Sequence, residues 1–141
     1  MKFCVECFGC RANQAEVQEW ILDLEKAGYA FTHHQAEADF GILNTCSVTA
    51  KAERDVARAV NRAFRRTHIP WIIAGCSVTH DKDNLKRRFP GYIFLDNREK
   101  ADLAAEVKRR FPQDSNLIFH SAFRSRLFLK IHDGCNFRCA Y

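Results

Sequence analysis

Glycine and proline are scarce, 6 and 3 among 141 residues. That scarcity excludes collagen-like repeats and the flexible low-complexity linkers these residues build. Long apolar runs are missing as well; none approaches the ~18–20 residues needed to cross a bilayer. The opening Met1-Lys2-Phe3-Cys4 lacks the apolar core of a secretory signal, so the expected compartment is the cytoplasm. A composition of 47% hydrophobic and 28% charged residues argues against wholesale disorder. The length suits one compact domain with its own core and falls short of two. A net charge of +5 is compatible with a nucleic-acid partner and does not require one.

Cysteine, by contrast, is plentiful. Cys4, Cys7, Cys10, Cys46, Cys76, Cys135 and Cys139 make an odd count of 7. Without a secretion signal a disulfide framework is not expected, and metal binding or thiol chemistry is the better reading.

The hydrophobic pattern alternates between strands and helices. Residues 2–8 read as a strand, and Glu6 is an unexpected residue on it. Residues 13–27 follow helical spacing, with Val17, Trp20, Ile21 and Leu24 on one face and Gly28 as the stop. Residues 29–32 form a possible second strand, and 39–44 a strand buried on both faces. A long helix is expected over 48–66, with Val56, Val60, Ala63 and Phe64 inward. Residues 70–74 and 92–95 read as strands. Residues 81–89 read as a short helix, and 97–111 as a helix capped by Asn97 and ending in Lys108, Arg109 and Arg110. The pattern implies an α/β fold, flavodoxin- or Rossmann-like, with a parallel sheet flanked by helices in the order 2-1-3-4-5. One step strains it. Residues 33–38 are short for a parallel crossover, so strand 2 is either misplaced or very short.

Cys10, Cys46 and Cys76 each stand just beyond the C-terminal end of a predicted strand. Ligands of open α/β sheets bind at that edge. Neighbouring strands lie about 4.8 Å apart, so three adjacent tips would bring the thiols within roughly 10 Å. Helix N-termini follow all three, favouring thiolates and sulfide. Three thiolates suit a [4Fe–4S] cluster with one open iron, although four is the commoner number. Inert core cysteines are the competing reading. Zinc is another, because Cys4-x2-Cys7-x2-Cys10 and Cys76-x3-His80 have workable spacing. Along a strand, however, Cys4 and Cys7 point to opposite faces.

The last residues read Asp133-Gly134-Cys135-Asn136-Phe137-Arg138-Cys139-Ala140-Tyr141. Cys-x3-Cys followed by Ala-Tyr resembles the radical S-adenosylmethionine motif Cys-x3-Cys-x2-Cys, whose third cysteine would come next. The segments Gly9-Cys10-Arg11-Ala12-Asn13-Gln14, Asn44-Thr45-Cys46-Ser47-Val48-Thr49 and Ala74-Gly75-Cys76 match in the same order. Together they resemble the opening of a radical methylthiotransferase. Within that family, Asn13-Gln14 and the run from Cys46 to Thr49 are most similar to the branch acting on threonylcarbamoyladenosine in tRNA. The alternatives are the isopentenyladenosine and ribosomal-protein branches, or a non-catalytic flavodoxin-like binding domain with incidental thiols.

The resemblance implies a cluster-binding domain over 1–112, a linker over 113–126 and the start of the radical core over 127–141. It implies two [4Fe–4S] clusters in the full-length enzyme. Cys135, Cys139 and a third cysteine would hold the one that cleaves S-adenosylmethionine, with Tyr141 near the adenine. The radical so formed would take hydrogen from an unreactive adenine carbon. Cys10, Cys46 and Cys76 would hold the auxiliary cluster that presents sulfur. On this reading Cys4 and Cys7 serve packing, tRNA is the partner, and the 141 residues alone are inactive. Arg54, Arg58, Arg62 and Arg65 stripe the 48–66 helix and could meet tRNA phosphates. A solvated helix face, partly offset by Glu53 and Asp55, is the favoured account of them.

Overall fold

Short apolar runs separated by amphipathic stretches bury themselves most completely when the runs pair side by side and the helices cover both faces. The computed structural model shows this arrangement and describes residues 1–8, 10–46, 54, 57–62 and 68–113. The elements are β1 (Lys2–Cys7), α1 (Arg11–Lys26), β2 (Ala30–Phe31), β3 (Phe40–Thr45), β4 (Trp71–Gly75), α2 (Cys76–Arg88), β5 (Ile93–Leu95) and α3 (Leu103–Arg110). Single 3-10 turns occupy Gln35–Glu37 and Glu99–Asp102. The strands pair in the order β2-β1-β3-β4-β5, every pair parallel. The expected α/β class and strand order are therefore found. No helix among the described residues is long and apolar enough to cross a membrane.

The period of two along each strand divides the core into two faces. On one, Cys4, Leu43, Trp71, Ile73 and Phe94 pack with Val60 and with Val78 of α2. On the other, Phe3, Phe40, Ile42, Ile72 and Leu95 pack with Trp20 and Leu24 of α1 and Leu103 and Val107 of α3. Every residue of β3 and β4 is buried, as central strands covered on both sides must be. Gly41 makes the first face possible: a Cβ there would sit 2.5 Å from the Trp71 ring. The indole lies flat against β3 because Gly41 has no side chain.

The strained crossover resolves through length. β2 is only two residues long and pairs Lys2 and Phe3 at the start of β1. The chain thus climbs almost nothing before returning to β3, which also starts opposite Phe3. α1 ends as expected. Gly28 adopts φ +89, while the N–H groups of Gly28 and Tyr29 donate to the carbonyls of Glu25 and Leu24 at 2.9 and 3.0 Å. These two bonds are the Schellman pattern that satisfies the last helical carbonyls.

Two expectations are corrected. The helix read as 81–89 begins at Cys76 and breaks at Asp81 (φ −145, ψ 42). Its first turn buries only Val78, so it leaves no apolar periodicity to read. Asn97 does not cap the last helix. Asp96 accepts from the N–H groups of Arg98 and Glu99 at 2.8 and 3.0 Å, and Asp102 caps α3 through the Ala105 N–H at 3.3 Å. A carboxylate on each side of the 3-10 turn replaces one amide cap. Lys108, Arg109 and Arg110 do lie in the last turn of α3. Of the expected 48–66 helix, residues 57–62 are helical and Ala59 and Val60 buried; Val56, Ala63 and Phe64 lie outside the described residues.

Replacing Gly41 by Ala drives a methyl group into the Trp71 ring. The expected loss is about 1–3 kcal/mol, read as a lower urea midpoint at unchanged slope. An unchanged midpoint would contradict the packing described.

Candidate metal centre

The register of β3 sets the site. Thr45 pairs with Gly75 across β3 and β4, so Cys46 and Cys76 are the next residues on two adjacent parallel tips. The Ser77 hydroxyl donates to the Cys46 carbonyl at 3.0 Å and ties the tips together. On the other side, Cys7 pairs with Asn44, and the Phe8 N–H donates to the Asn44 carbonyl at 2.9 Å. Cys10 follows as the N-cap of α1. The tips of β1, β3 and β4 therefore carry Cys10, Cys46 and Cys76 along one rim. Cys10 is exposed, Cys76 half-buried and Cys46 buried.

Asn13 crosses this rim. Its amide nitrogen donates to the Phe8 carbonyl at 2.9 Å and the Thr45 carbonyl at 3.1 Å. Its amide oxygen accepts from the Cys10 thiol at 3.6 Å. Beneath it lies a buried polar chain. The Asn44 amide donates to the Asn13 carbonyl at 3.3 Å and the Glu16 carboxylate at 3.1 Å. Glu16 in turn pairs with Lys100 at 2.7 Å, the two side chains 9% and 10% exposed. Burial of such a pair is tolerable because each charge has its partner and the carboxylate a further donor. The Asn44 Oδ1 atom is buried without a hydrogen-bond partner among the described residues.

Gly75 shapes the opening. Its φ is +108, and a Cβ would stand 2.4 Å from the Thr45 carbonyl oxygen and 2.8 Å from Asn44 Oδ1. Neither α1 nor α2 has a side-chain cap at its N-terminus. The positive end of each helix dipole lies at the rim. Three thiols, bare backbone at Gly75 and uncapped helix ends form a donor set that fits a soft, anionic iron–sulfur group.

No group of three His, Cys, Asp or Glu among the described residues could hold a single metal ion. A lone zinc needs every ligand within about 2.3 Å of one point. A four-iron cluster takes its thiolates on different corners and accepts wider spacing. Cys4 is unsuitable for either. It is 3% exposed within the core, and its thiol donates to the Phe40 carbonyl at 3.9 Å. Burial, aided by the charge of Glu6, pushes its pKa from 9.0 to about 11. Its packing role is as expected, and the zinc triple with Cys7 and Cys10 is not formed.

Glu6 also finds its explanation. It pairs with the Arg62 guanidinium at 3.0 Å and receives the Gln35 amide. Arg62 thus directs its charge to the sheet; Arg54, Arg58 and Arg62 are all exposed. Arg65, Cys135, Cys139 and Tyr141 lie outside the described residues. Sequence reasoning did not single out Glu16, Asn44 or Lys100 as parts of the site. Asn13 and Asn44 stood inside the quoted motifs, but Lys100 is 84 residues from Glu16 and nothing local connects them.

Residues 2–96 match the family described as Uncharacterized protein family UPF0004. The threonylcarbamoyladenosine tRNA methylthiotransferase MtaB of Chlamydia pneumoniae is 34% identical over 99% of this chain and 34% of its own length. The tRNA-2-methylthio-N(6)-dimethylallyladenosine synthase of Wolinella succinogenes is 26% identical over 99% of the chain and 35% of its own length. The ribosomal protein uS12 methylthiotransferase RimO of Microcystis aeruginosa is 28% identical over 94% and 34%. The chain belongs to this family, the N-terminal domain of methylthiotransferases. It spans about a third of the length of these curated relatives.

Two outcomes follow from the buried groups. Lys100→Met removes the cation that faces the buried Glu16 carboxylate at 2.7 Å, with an expected loss of about 3–5 kcal/mol; adding Glu16→Gln should recover most of it in the same urea titration. Cys4 ionises near pH 9.0 when unfolded and about 11 when folded. Its contribution to stability is therefore complete below pH 9 and lost as pH rises through 11. Cys4→Val should flatten that part of the alkaline decline, and an unchanged decline would contradict the shift.

Proposed function

We propose that this chain is the N-terminal part of a radical S-adenosylmethionine methylthiotransferase acting on tRNA, and that Cys10, Cys46 and Cys76 hold its auxiliary [4Fe–4S] cluster. The observation that carries this reading is the shared rim: three cysteines far apart in sequence follow three neighbouring parallel strand tips, bridged by Asn13 and Ser77. When bound, the cluster supplies an open soft iron and a sulfur source. The chain's own residues supply its seat. Gly75 keeps the backbone clear of side chains, and Asn13 sets the spacing between the first two tips. The uncapped starts of α1 and α2 offset negative charge.

Within the same reading, residues 1–112 form the cluster domain, 113–126 a linker and 127–141 the start of the radical core. Cys135 and Cys139 hold the second cluster with a further cysteine, and Tyr141 lies near S-adenosylmethionine. By themselves the 141 residues hold the auxiliary cluster and do not turn over. Threonylcarbamoyladenosine is the favoured substrate, supported by the 34% identity to the Chlamydia enzyme against 26% and 28% for relatives of the other two branches. The enzyme is cytoplasmic. The arginine stripe serves as a solvated face, with Arg62 holding Glu6.

Anaerobic reconstitution with iron and sulfide tests the assignment. Changing Cys10, Cys46 and Cys76 together to Ala should remove nearly all iron retained by a Cys135→Ala, Cys139→Ala background, while circular dichroism stays unchanged. Undiminished iron would overturn the ligand set.

A further inference from the structure

We infer that Asn97 is a positioning residue for the proposed cluster, its side-chain amide donating to the Cys76 sulfur and thereby raising the cluster's reduction potential. The inference rests on the ligand assignment above. Asn97 Nδ2 donates to Cys76 Sγ at 3.8 Å, a separation suited to the large sulfur atom. The amide is held there by its own loop. The Asn97 N–H donates to Thr79 Oγ1 at 2.9 Å, and that hydroxyl donates to the Gly75 carbonyl at 3.3 Å. The loop after β5 is thus strapped to the helical turn that begins at Cys76. Asp96 holds the next two backbone N–H groups, and Lys82 of α2 pairs with Asp96 at 3.6 Å and with Glu99.

Asn13 offers no equivalent bond. It meets Cys10 with its oxygen, accepting from the thiol, and its nitrogen is committed to two carbonyls. A metal-bound thiolate has no proton to give that oxygen. The Asn97 bond, by contrast, survives loss of the thiol proton and strengthens with negative charge. One-electron reduction adds negative charge that spreads onto the sulfurs. A donor at one of them therefore stabilises the reduced state more than the oxidised one.

The test uses the Cys135→Ala, Cys139→Ala chain, reconstituted anaerobically and poised with dithionite and redox mediators. The reduced cluster is followed by electron paramagnetic resonance. Asn97→Leu removes the donor, and Asn97→Asp replaces it with a carboxylate oxygen of the same shape. Both should lower the potential, with the reduced-to-oxidised ratio at fixed potential falling about three- to five-fold. Asn97→Gln, which keeps the donor, should recover part of the shift. The potential is read in whichever of the first two variants loads iron. An unmoved potential there, or loss of iron from both, overturns the inference alone. A parent chain that retains no iron overturns the ligand assignment and the inference together.

Discussion

The pairing of β3 with both of its neighbours is the constraint on which the rim depends. Cys7 opposite Asn44 and Thr45 opposite Gly75 put residues 10, 46 and 76 at one edge of the sheet. In a parallel sheet a slip of one residue would exchange the two faces of a strand. Here it would push Phe40 and Ile42 away from α1 and α3, and Leu43 away from Trp71 and Val60. The core therefore protects the register, and the register places the thiols. Chemistry at the edge draws its precision from apolar burial in the middle.

Polar residues under the rim refine that placement. Lys100, Glu16, Asn44 and Asn13 form one connected chain from the loop before α3 to the Cys10 tip. Replacing both charges together with apolar groups of similar volume should cost the fold little, since buried ion pairs are weak stabilisers. Their value here is directional. Hydrogen bonds hold Asn13 in the one orientation that reaches both the Phe8 and Thr45 carbonyls. The orphaned Asn44 Oδ1 beside Gly75 is the one buried side-chain nitrogen or oxygen left unmatched among the described residues.

Much of the architecture was legible because apolar runs and helix stops are local signals. The strands at 40–45 and 71–75 announced themselves by continuous burial, and Gly28 by the positive φ only glycine takes easily. What stayed hidden was decided by partners distant in sequence. Glu6 looked out of place on a strand until Arg62 and Gln35 closed over it. Asn97 looked like a helix cap because its spacing was right; Asp96, a charged acceptor one residue earlier, takes the N–H groups instead. The first turn of α2 carried no apolar period, since its purpose is to continue β4 into Cys76 rather than to cover the core.

The sequence alone determined the alternation of strand and helix, the parallel order of the sheet and the presence of three cysteines at strand ends. These are consequences of period, spacing and breaker residues, which act within a few positions of themselves. Only the tertiary structure decided which side chains meet at that edge. It joined Glu16 to Lys100, set Asn13 across two tips and Asn97 beside a third, and withdrew Cys4 into the core. Such contacts depend on register and on how each helix crosses the sheet, and no local pattern encodes them.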